Sequence, residues 1–90
     1  MTIRRYYKVY GEVQAVGFRH FSKVVADEYH LTGYVRNEYD GSVTIEVQGE
    51  EDIVRNFLEE VEKVSYHIEI SRFSWENLAI CSQETSFSIL

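Results

Sequence analysis

The strongest constraint on the fold is a change in hydrophobic period on the two sides of Gly17. Residues 6–13 alternate between apolar and mixed positions, which is typical of a β-strand that is buried on one face. From Phe18 to Tyr29, apolar side chains recur at spacings of three and four, which predicts an amphipathic helix. A short turn must therefore connect the strand to the helix.

A β-hairpin is predicted after this helix. Thr32-Gly33 is expected to end the helix, because glycine readily adopts the left-handed conformation found at helix ends. Residues 34–37 and 42–48 are expected to be extended, and the Asp40-Gly41 pair between them is a strong hairpin-turn signal.

The last part of the chain predicts one more helix and two more strands. Negative charge at residues 50–52 indicates the start of the helix, because the helix dipole favours it there. Residues 68–70 and 73–75 alternate out of phase with each other, as in a strand that contains a bulge. Residues 76–84 are expected to form a loop, and residues 87–89 a terminal strand.

The order βαββαβ with a terminal strand predicts an α+β ferredoxin-like sandwich. In this fold an antiparallel sheet carries two helices on one face. Right-handed crossovers place both helices on the same side. Ninety residues support one hydrophobic core, so we predict a single domain over residues 1–90.

Charge and composition limit the classes of partner. A net charge of −6 disfavours a nucleic-acid surface, and it means that an anionic ligand needs a local positive site. Cys81 is the only cysteine, and the sequence contains neither a signal-peptide pattern nor an apolar run long enough to span a bilayer. We expect a cytoplasmic monomer without a membrane or nucleic-acid partner, although the terminal strand at residues 85–90 could leave an exposed edge.

The turn at residues 14–19 has the features of an oxyanion site. Backbone N–H groups in a strand-to-helix turn can converge, and the positive end of the helix supports them. Arg19 adds a planar, permanently charged group that suits phosphate. The alternative is a solvated turn beside an idle arginine, and the local pattern does not decide between the two.

The sequence does not support a nucleophilic cysteine, a metal site or a nucleotide-binding loop. Cys81 is not followed by a phosphate-binding loop, the three histidines lack metal-ligand spacing, and the glycines around residue 14 do not match a nucleotide P-loop. The signature of RNA-binding sheets is also missing. A phosphate cradle remains, and it needs a group that orients water; Asn37 is the candidate, although alone it could equally cap its own turn.

Two motifs resemble the signatures of the acylphosphatase family. GEVQAVGFR at residues 11–19 is similar to the first, GYVRNEYDGSV at residues 33–43 to the second, and residues 87–89 to the closing strand. The resemblance covers essentially the whole chain.

The resemblance implies a ferredoxin-like sandwich that hydrolyses the carboxyl–phosphate bond of acyl phosphates. By this resemblance Arg19 would bind the phosphoryl group and Asn37 would orient the attacking water. No metal, cofactor or covalent intermediate is implied. The phosphate would lie against backbone amides of Gln14, Ala15, Val16, Gly17, Phe18 and Arg19.

Three departures accompany the resemblance. Ala15 replaces the usual glycine, and it would be strained if that position needs a positive φ. Tyr34 replaces the commoner tryptophan, and residues 63–67 lack the usual glycine-proline-proline, which should alter the loop before the fourth strand. Ala15 therefore keeps open a catalytically weak anion-binding or regulatory domain on the same fold, and a purely structural module is a third hypothesis.

Overall fold

The computed structural model describes residues 1–15, 17–65 and 67–90, and within them it contains five strands and three helices. In chain order these are β1 (Thr2–Glu12), α1 (Phe18–Glu28), β2 (Thr32–Asn37), β3 (Val43–Glu50), α2 (Glu51–Arg55), α3 (Phe57–Lys63), β4 (Glu69–Leu78) and β5 (Phe87–Ile89). The strands form one sheet in the order β4-β1-β3-β2-β5. The pairs among β1 to β4 are antiparallel, as predicted, and β5 is added parallel to β2.

The core lies between the helices and one face of the sheet. Alternate side chains of the three central strands point to this face, because successive strand residues point to opposite sides. The Tyr7 hydroxyl donates a hydrogen bond of 2.6 Å to the main-chain oxygen of Val54, which fixes α2 over β1. Each fully buried aliphatic side chain contributes about 1.5–3 kcal/mol; those of the sheet are Val9, Val35, Val43, Ile45 and Val47.

The predicted second helix is interrupted at Asn56. Two short helices, α2 and α3, replace the single helix, and Asn56 between them has a φ of −102°. Its side-chain Nδ2 donates a hydrogen bond of 3.0 Å to the main-chain oxygen of Asp52. Asparagine competes in this way with the helical backbone, which accounts for the break.

The end of α1 also differs from the prediction. The helix stops at Glu28, and His30 takes the left-handed conformation with a φ of 58°. Gly33 does not end the helix but lies inside β2, with a φ of 136°. A Cβ atom at Gly33 would overlap the main-chain oxygen of Glu46 on β3, so close strand pairing explains the glycine.

The predicted bulge is present in β4. Tyr10 of β1 lies opposite Arg72 and Gly11 lies opposite Ile70, so Ser71 is the extra residue. The loop predicted from residue 76 is wrong at its start, because β4 continues to Leu78. The extension pairs with the first part of β1, which begins at Thr2 instead of Tyr6. The loop change expected at residues 63–67 falls partly on Tyr66, which lies outside the described residues.

Residues 79–86 carry the chain from one edge of the sheet to the other. They cross the face opposite the helices, where Gln48 exchanges two hydrogen bonds with the backbone of Cys81. Arg4 donates to Glu84 at 2.7 Å on the same face. Burial, the largest single influence, would raise the pKa of Glu84, but the hydrogen bond and positive charge of Arg4, together with the Thr32 hydroxyl, outweigh it and lower the pKa. This crossing delivers β5 to β2.

No helix in the described ranges combines the length and the apolar character needed to span a membrane.

Candidate active site

A cavity of about 260 Å³ lies where α1 begins, beside the ends of β2 and β5. It brings together five residues predicted from the sequence, namely Ala15, Gly17, Phe18, Arg19 and Asn37. Gln14 does not line the cavity, and Val16, which was also predicted to be part of the cradle, lies outside the described residues. The remaining lining residues are Val13, His20 and Ile89.

The N-terminus of α1 opens without a side-chain cap. Gly17 is the N-cap residue in the left-handed conformation, with a φ of 85°, and no side chain bonds to the cap. The first turn carries no acidic residue, and Phe18 anchors it in the core. The first N–H groups of a helix lack partners within the helix, so here they and the positive helix end are available to an anion.

The backbone at Ala15 is left-handed, with a φ of 57°. This resolves the question left open by the sequence, because a position with positive φ favours glycine. An L-residue in this conformation is less favourable by about 1–2 kcal/mol. Ala15 is therefore strained within the cradle.

Arg19 is oriented by the end of the chain. Its Nη1 donates a hydrogen bond of 3.0 Å to the main-chain oxygen of Leu90. Leu90 is itself fixed, because its N–H donates to the main-chain oxygen of Val35 at 2.9 Å. A guanidinium group has five N–H donors, so this one contact leaves donors for phosphoryl oxygens.

Asn37 lines the cavity and carries a buried acceptor atom. It is the last residue of β2 and lies opposite Val43 of β3. Its Oδ1 atom is buried and has no hydrogen-bond partner in the described part of the chain. Buried polar atoms are normally paired, and an amide oxygen can accept a hydrogen bond from water.

The side chain of Gln14 links the turn to the β2–β3 hairpin. Its Nε2 donates to the main-chain oxygens of Glu38 at 2.8 Å and Ser42 at 2.9 Å. From the sequence, only the backbone amide of Gln14 is expected to contribute to the site. These bonds hold the turn that carries Arg19 against the strand that carries Asn37.

Sequence reasoning did not identify the contributions of His20, Ile89 and Leu90. Ile89 and Leu90 reach the site because β5 pairs in parallel with β2. The similarity of residues 87–89 to the closing strand of a known family was the available signal. His20 follows Arg19 in the first turn of α1, and its ring packs edge-to-face against Phe21.

Within residues 1–15, 17–65 and 67–90, no group of three or more His, Cys, Asp or Glu side chains is arranged to hold a metal ion.

Comparison with known proteins gives a consistent result. The sequence profile of the acylphosphatase family matches residues 5–89. An acylphosphatase from Clostridium acetobutylicum is 38% identical over 90 residues, which is 100% of this chain and 99% of the relative. One from Clostridium beijerinckii is 40% identical over 81 residues, covering 90% of each chain. The crystal structure of acylphosphatase from Bacillus subtilis superposes with a TM-score of 0.88 at 33% identity, covering 100% of this chain and 99% of that one.

Proposed function

This chain belongs to the acylphosphatase family, and we propose that its cavity between the 14–19 turn and Asn37 is where it hydrolyses acyl phosphates. The reaction breaks the carboxyl–phosphate bond and gives a carboxylate and phosphate. The observation that supports this site is the arrangement of Arg19, the uncapped start of α1 and the Asn37 amide around one cavity.

The phosphoryl group binds between the turn and Arg19. N–H groups at the start of α1 donate to its oxygens, and the guanidinium of Arg19 supplies the permanent positive charge. The described lining of the cavity contains no carboxylate. The site can therefore attract an anion although the chain carries a net charge of −6.

Asn37 orients the attacking water. Its Oδ1 accepts a hydrogen bond from the water, which directs the water oxygen towards phosphorus. The new bond forms between that oxygen and phosphorus while the bond to the acyl oxygen breaks. The electron pair leaves with the carboxylate, and the proton of the water passes to solvent.

This chemistry needs neither a general acid nor a covalent intermediate. A carboxylate is a stable leaving group, so the protein supplies position and charge stabilisation, which dominate phosphoryl transfer. All the groups come from one chain, so one copy is sufficient for catalysis.

The alternative raised by Ala15, a catalytically weak anion-binding domain, is not favoured. Relatives that match over the whole chain are named acylphosphatases. Strain at one turn residue can reduce the rate without removing Arg19 or Asn37 from the cavity.

Replacing Arg19 by alanine tests the site. We expect phosphate release from benzoyl phosphate, measured with a chelator present, to fall by at least ~1,000-fold, because a principal charge on the phosphoryl group is lost. Arg55→Ala is the matched control, since this arginine is exposed on α2. Full turnover by folded Arg19→Ala would rule out the assignment, and loss of activity in both variants would show that the effect is not specific to the site.

A further inference from the structure

A second cavity, of about 510 Å³, lies on the helix side of the sheet between β4 and the helices α2 and α3. Its volume is in the range typical of small-molecule sites. The candidate active site lies by β2 and β5, and β4 and β5 are at opposite edges of the sheet, so the two cavities are separate. The proposed hydrolysis makes no use of this second cavity.

Arg5 lines the second cavity and is a buried cation without a carboxylate partner in the described part of the chain. Arg4 and Arg5 are each 6% exposed, but only Arg4 forms ion pairs, with Glu46 and Glu84. The Nε of Arg5 donates to the neutral Oδ1 of Asn77 at 3.0 Å. Buried charges in proteins are usually paired, so Arg5 indicates a site for an anion.

The guanidinium group of Arg5 stacks on Trp75, with its Cζ atom 3.8 Å from the ring centroid. Stacking uses the face of the guanidinium group, whereas its N–H donors lie in the plane. Trp75 therefore does not compete with a ligand for the Nη donors. Two such donors match the two oxygens of a carboxylate.

Arg55 adds a second cation at the same end of the cavity. Burial raises the pKa of the Tyr7 hydroxyl, and the neighbouring Arg5 and Arg55 lower it, so both cations lie near that hydroxyl. This end of the cavity therefore attracts an anion although the chain carries a net charge of −6.

Two carboxylates also line the cavity, but they do not oppose an anion at this end. Glu62 accepts a hydrogen bond from the N–H of Ile70 at 3.4 Å. The β1 partners of Ile70 and Trp75 are four residues apart, so about 13 Å of strand separates the two positions. Glu59 is exposed, and solvent screens its charge.

The wall beside Arg5 is apolar and open. Phe73 and Trp75 both line the cavity and remain 51% and 53% exposed, and Leu58 of α3 faces the same space. Phe73 and Trp75 are two residues apart on one face of β4, which is about 7 Å. A ligand with its carboxylate at Arg5 can therefore place an apolar ring on Phe73.

We propose that this cavity binds an aryl-alkanoate, which is a carboxylate joined to an aromatic ring by a short alkyl chain. The carboxylate accepts hydrogen bonds from the Nη donors of Arg5, and Arg55 adds positive charge. The ring packs on Phe73 and Leu58. Because the site is separate from the candidate active site, it binds its ligand whether or not phosphate occupies the other cavity.

The single tryptophan provides the readout. Trp75 is the only tryptophan in the chain, so its indole N–H gives one NMR signal that reports on this cavity. Titration of the intact chain with hydrocinnamate, in the presence of inorganic phosphate, should shift the signal with a Kd of about 1 mM or lower. Hydrocinnamyl alcohol lacks the charge and propanoate lacks the ring, so each should bind at least ~10-fold more weakly.

Arg5→Met tests the cation. Methionine keeps an apolar side chain of similar length and removes the charge, so binding should weaken at least ~10-fold. Turnover of benzoyl phosphate should stay at the wild-type level and report that the variant is folded. Arg36→Met, at an exposed arginine paired with Glu38, is the matched control and should bind hydrocinnamate normally.

Arg19→Ala separates this proposal from the proposed function. This variant should bind hydrocinnamate with the wild-type Kd, because Arg19 lines the other cavity. Loss of binding in Arg19→Ala would place the ligand in the candidate active site and overturn the proposal. So would the absence of any shift, affinity for hydrocinnamyl alcohol or propanoate equal to that for hydrocinnamate, or wild-type binding by Arg5→Met.

Discussion

The side chain of Gln14 donates a hydrogen bond of 2.8 Å to the main-chain oxygen of Glu38, the residue that follows Asn37. A second bond from the same amide reaches Ser42 at the other end of the hairpin turn. The position of Asn37 relative to Arg19 therefore depends on a side chain that does not line the cavity itself.

Gln14→Ala should lower kcat more than it changes KM. Without the two bonds the turn and the hairpin can shift relative to each other, and misplacement by about 1 Å can reduce a rate by about 100-fold. Kinetics with benzoyl phosphate measure the effect, and Gln83→Ala, at an exposed position, is the control. A change confined to KM would contradict the positioning role.

Asn37→Ala should reduce kcat and leave substrate affinity nearly unchanged. The variant removes the acceptor for the attacking water, while Arg19 and the start of α1 still bind the phosphoryl group. We expect a loss of about 100-fold or more. Asn56→Ala, outside the cavity, should retain full activity in the same assay. If inhibition by inorganic phosphate weakens as much as kcat falls, Asn37 binds the anion instead.

Ala15→Gly should stabilise the protein and raise its activity. Glycine removes about 1–2 kcal/mol of left-handed strain from the folded state. Part of this stabilisation is offset, because glycine gives the unfolded chain more conformational entropy than alanine does. His30→Gly is the matched control, because His30 has nearly the same φ but lies far along the chain from the cradle. Thermal unfolding should show a gain for both variants, and kinetics only for Ala15→Gly. Unchanged turnover in Ala15→Gly would mean that the strain does not affect catalysis.

The contact between Arg4 and Glu84 should make the free energy of unfolding depend on pH in the acidic range. The folded state lowers the pKa of Glu84 below its ordinary value of 4.5, so the stabilisation is present above that pH and is lost as the pH falls through the folded pKa. Glu84→Gln should lower the free energy of unfolding by about 1–2 kcal/mol near neutral pH.

Urea unfolding at several pH values checks this expectation. The difference between wild type and Glu84→Gln should shrink as the pH falls below 4.5 and vanish once the pH lies below the lowered pKa of Glu84 in the folded state. Glu59→Gln, on the exposed surface of α3, should show little difference at any pH. A difference that persists in acid would mean that the glutamine disturbs packing and that the charge of Glu84 is not the cause.

The parts of the fold that follow local rules could be predicted from the sequence. The spacing of apolar side chains predicts the start of α1 at Phe18, Asp40-Gly41 predicts the hairpin, and the change of phase before Phe73 predicts the bulge. In each case the signal lies within a few neighbouring residues.

The parts of the fold that depend on residues far apart in the chain could not be predicted from the sequence. The predicted strand begins at Tyr6, whereas β1 begins at Thr2 and buries Arg4 and Arg5, which are each only 6% exposed. Arg4 is paired with Glu84, and Arg5 donates to Asn77. Both partners are more than 70 residues away, so no local pattern reveals them.

The candidate site shows the same division. The resemblance of two motifs selected Arg19 and Asn37, and the structure places both at one cavity. That Leu90 orients Arg19 follows from the parallel pairing of β5 with β2, which the composition of residues 85–90 does not encode.

The crossing of residues 79–86 has a consequence for how the enzyme becomes active. The described lining of the cavity consists of Val13, Ala15, residues 17–20, Asn37 and Ile89, so its walls come from the start, the middle and the end of the sequence. A partly synthesised or partly folded chain therefore lacks part of the cavity wall. Catalytic competence should appear abruptly, only when the final strand docks, which makes turnover itself a reporter of completed folding.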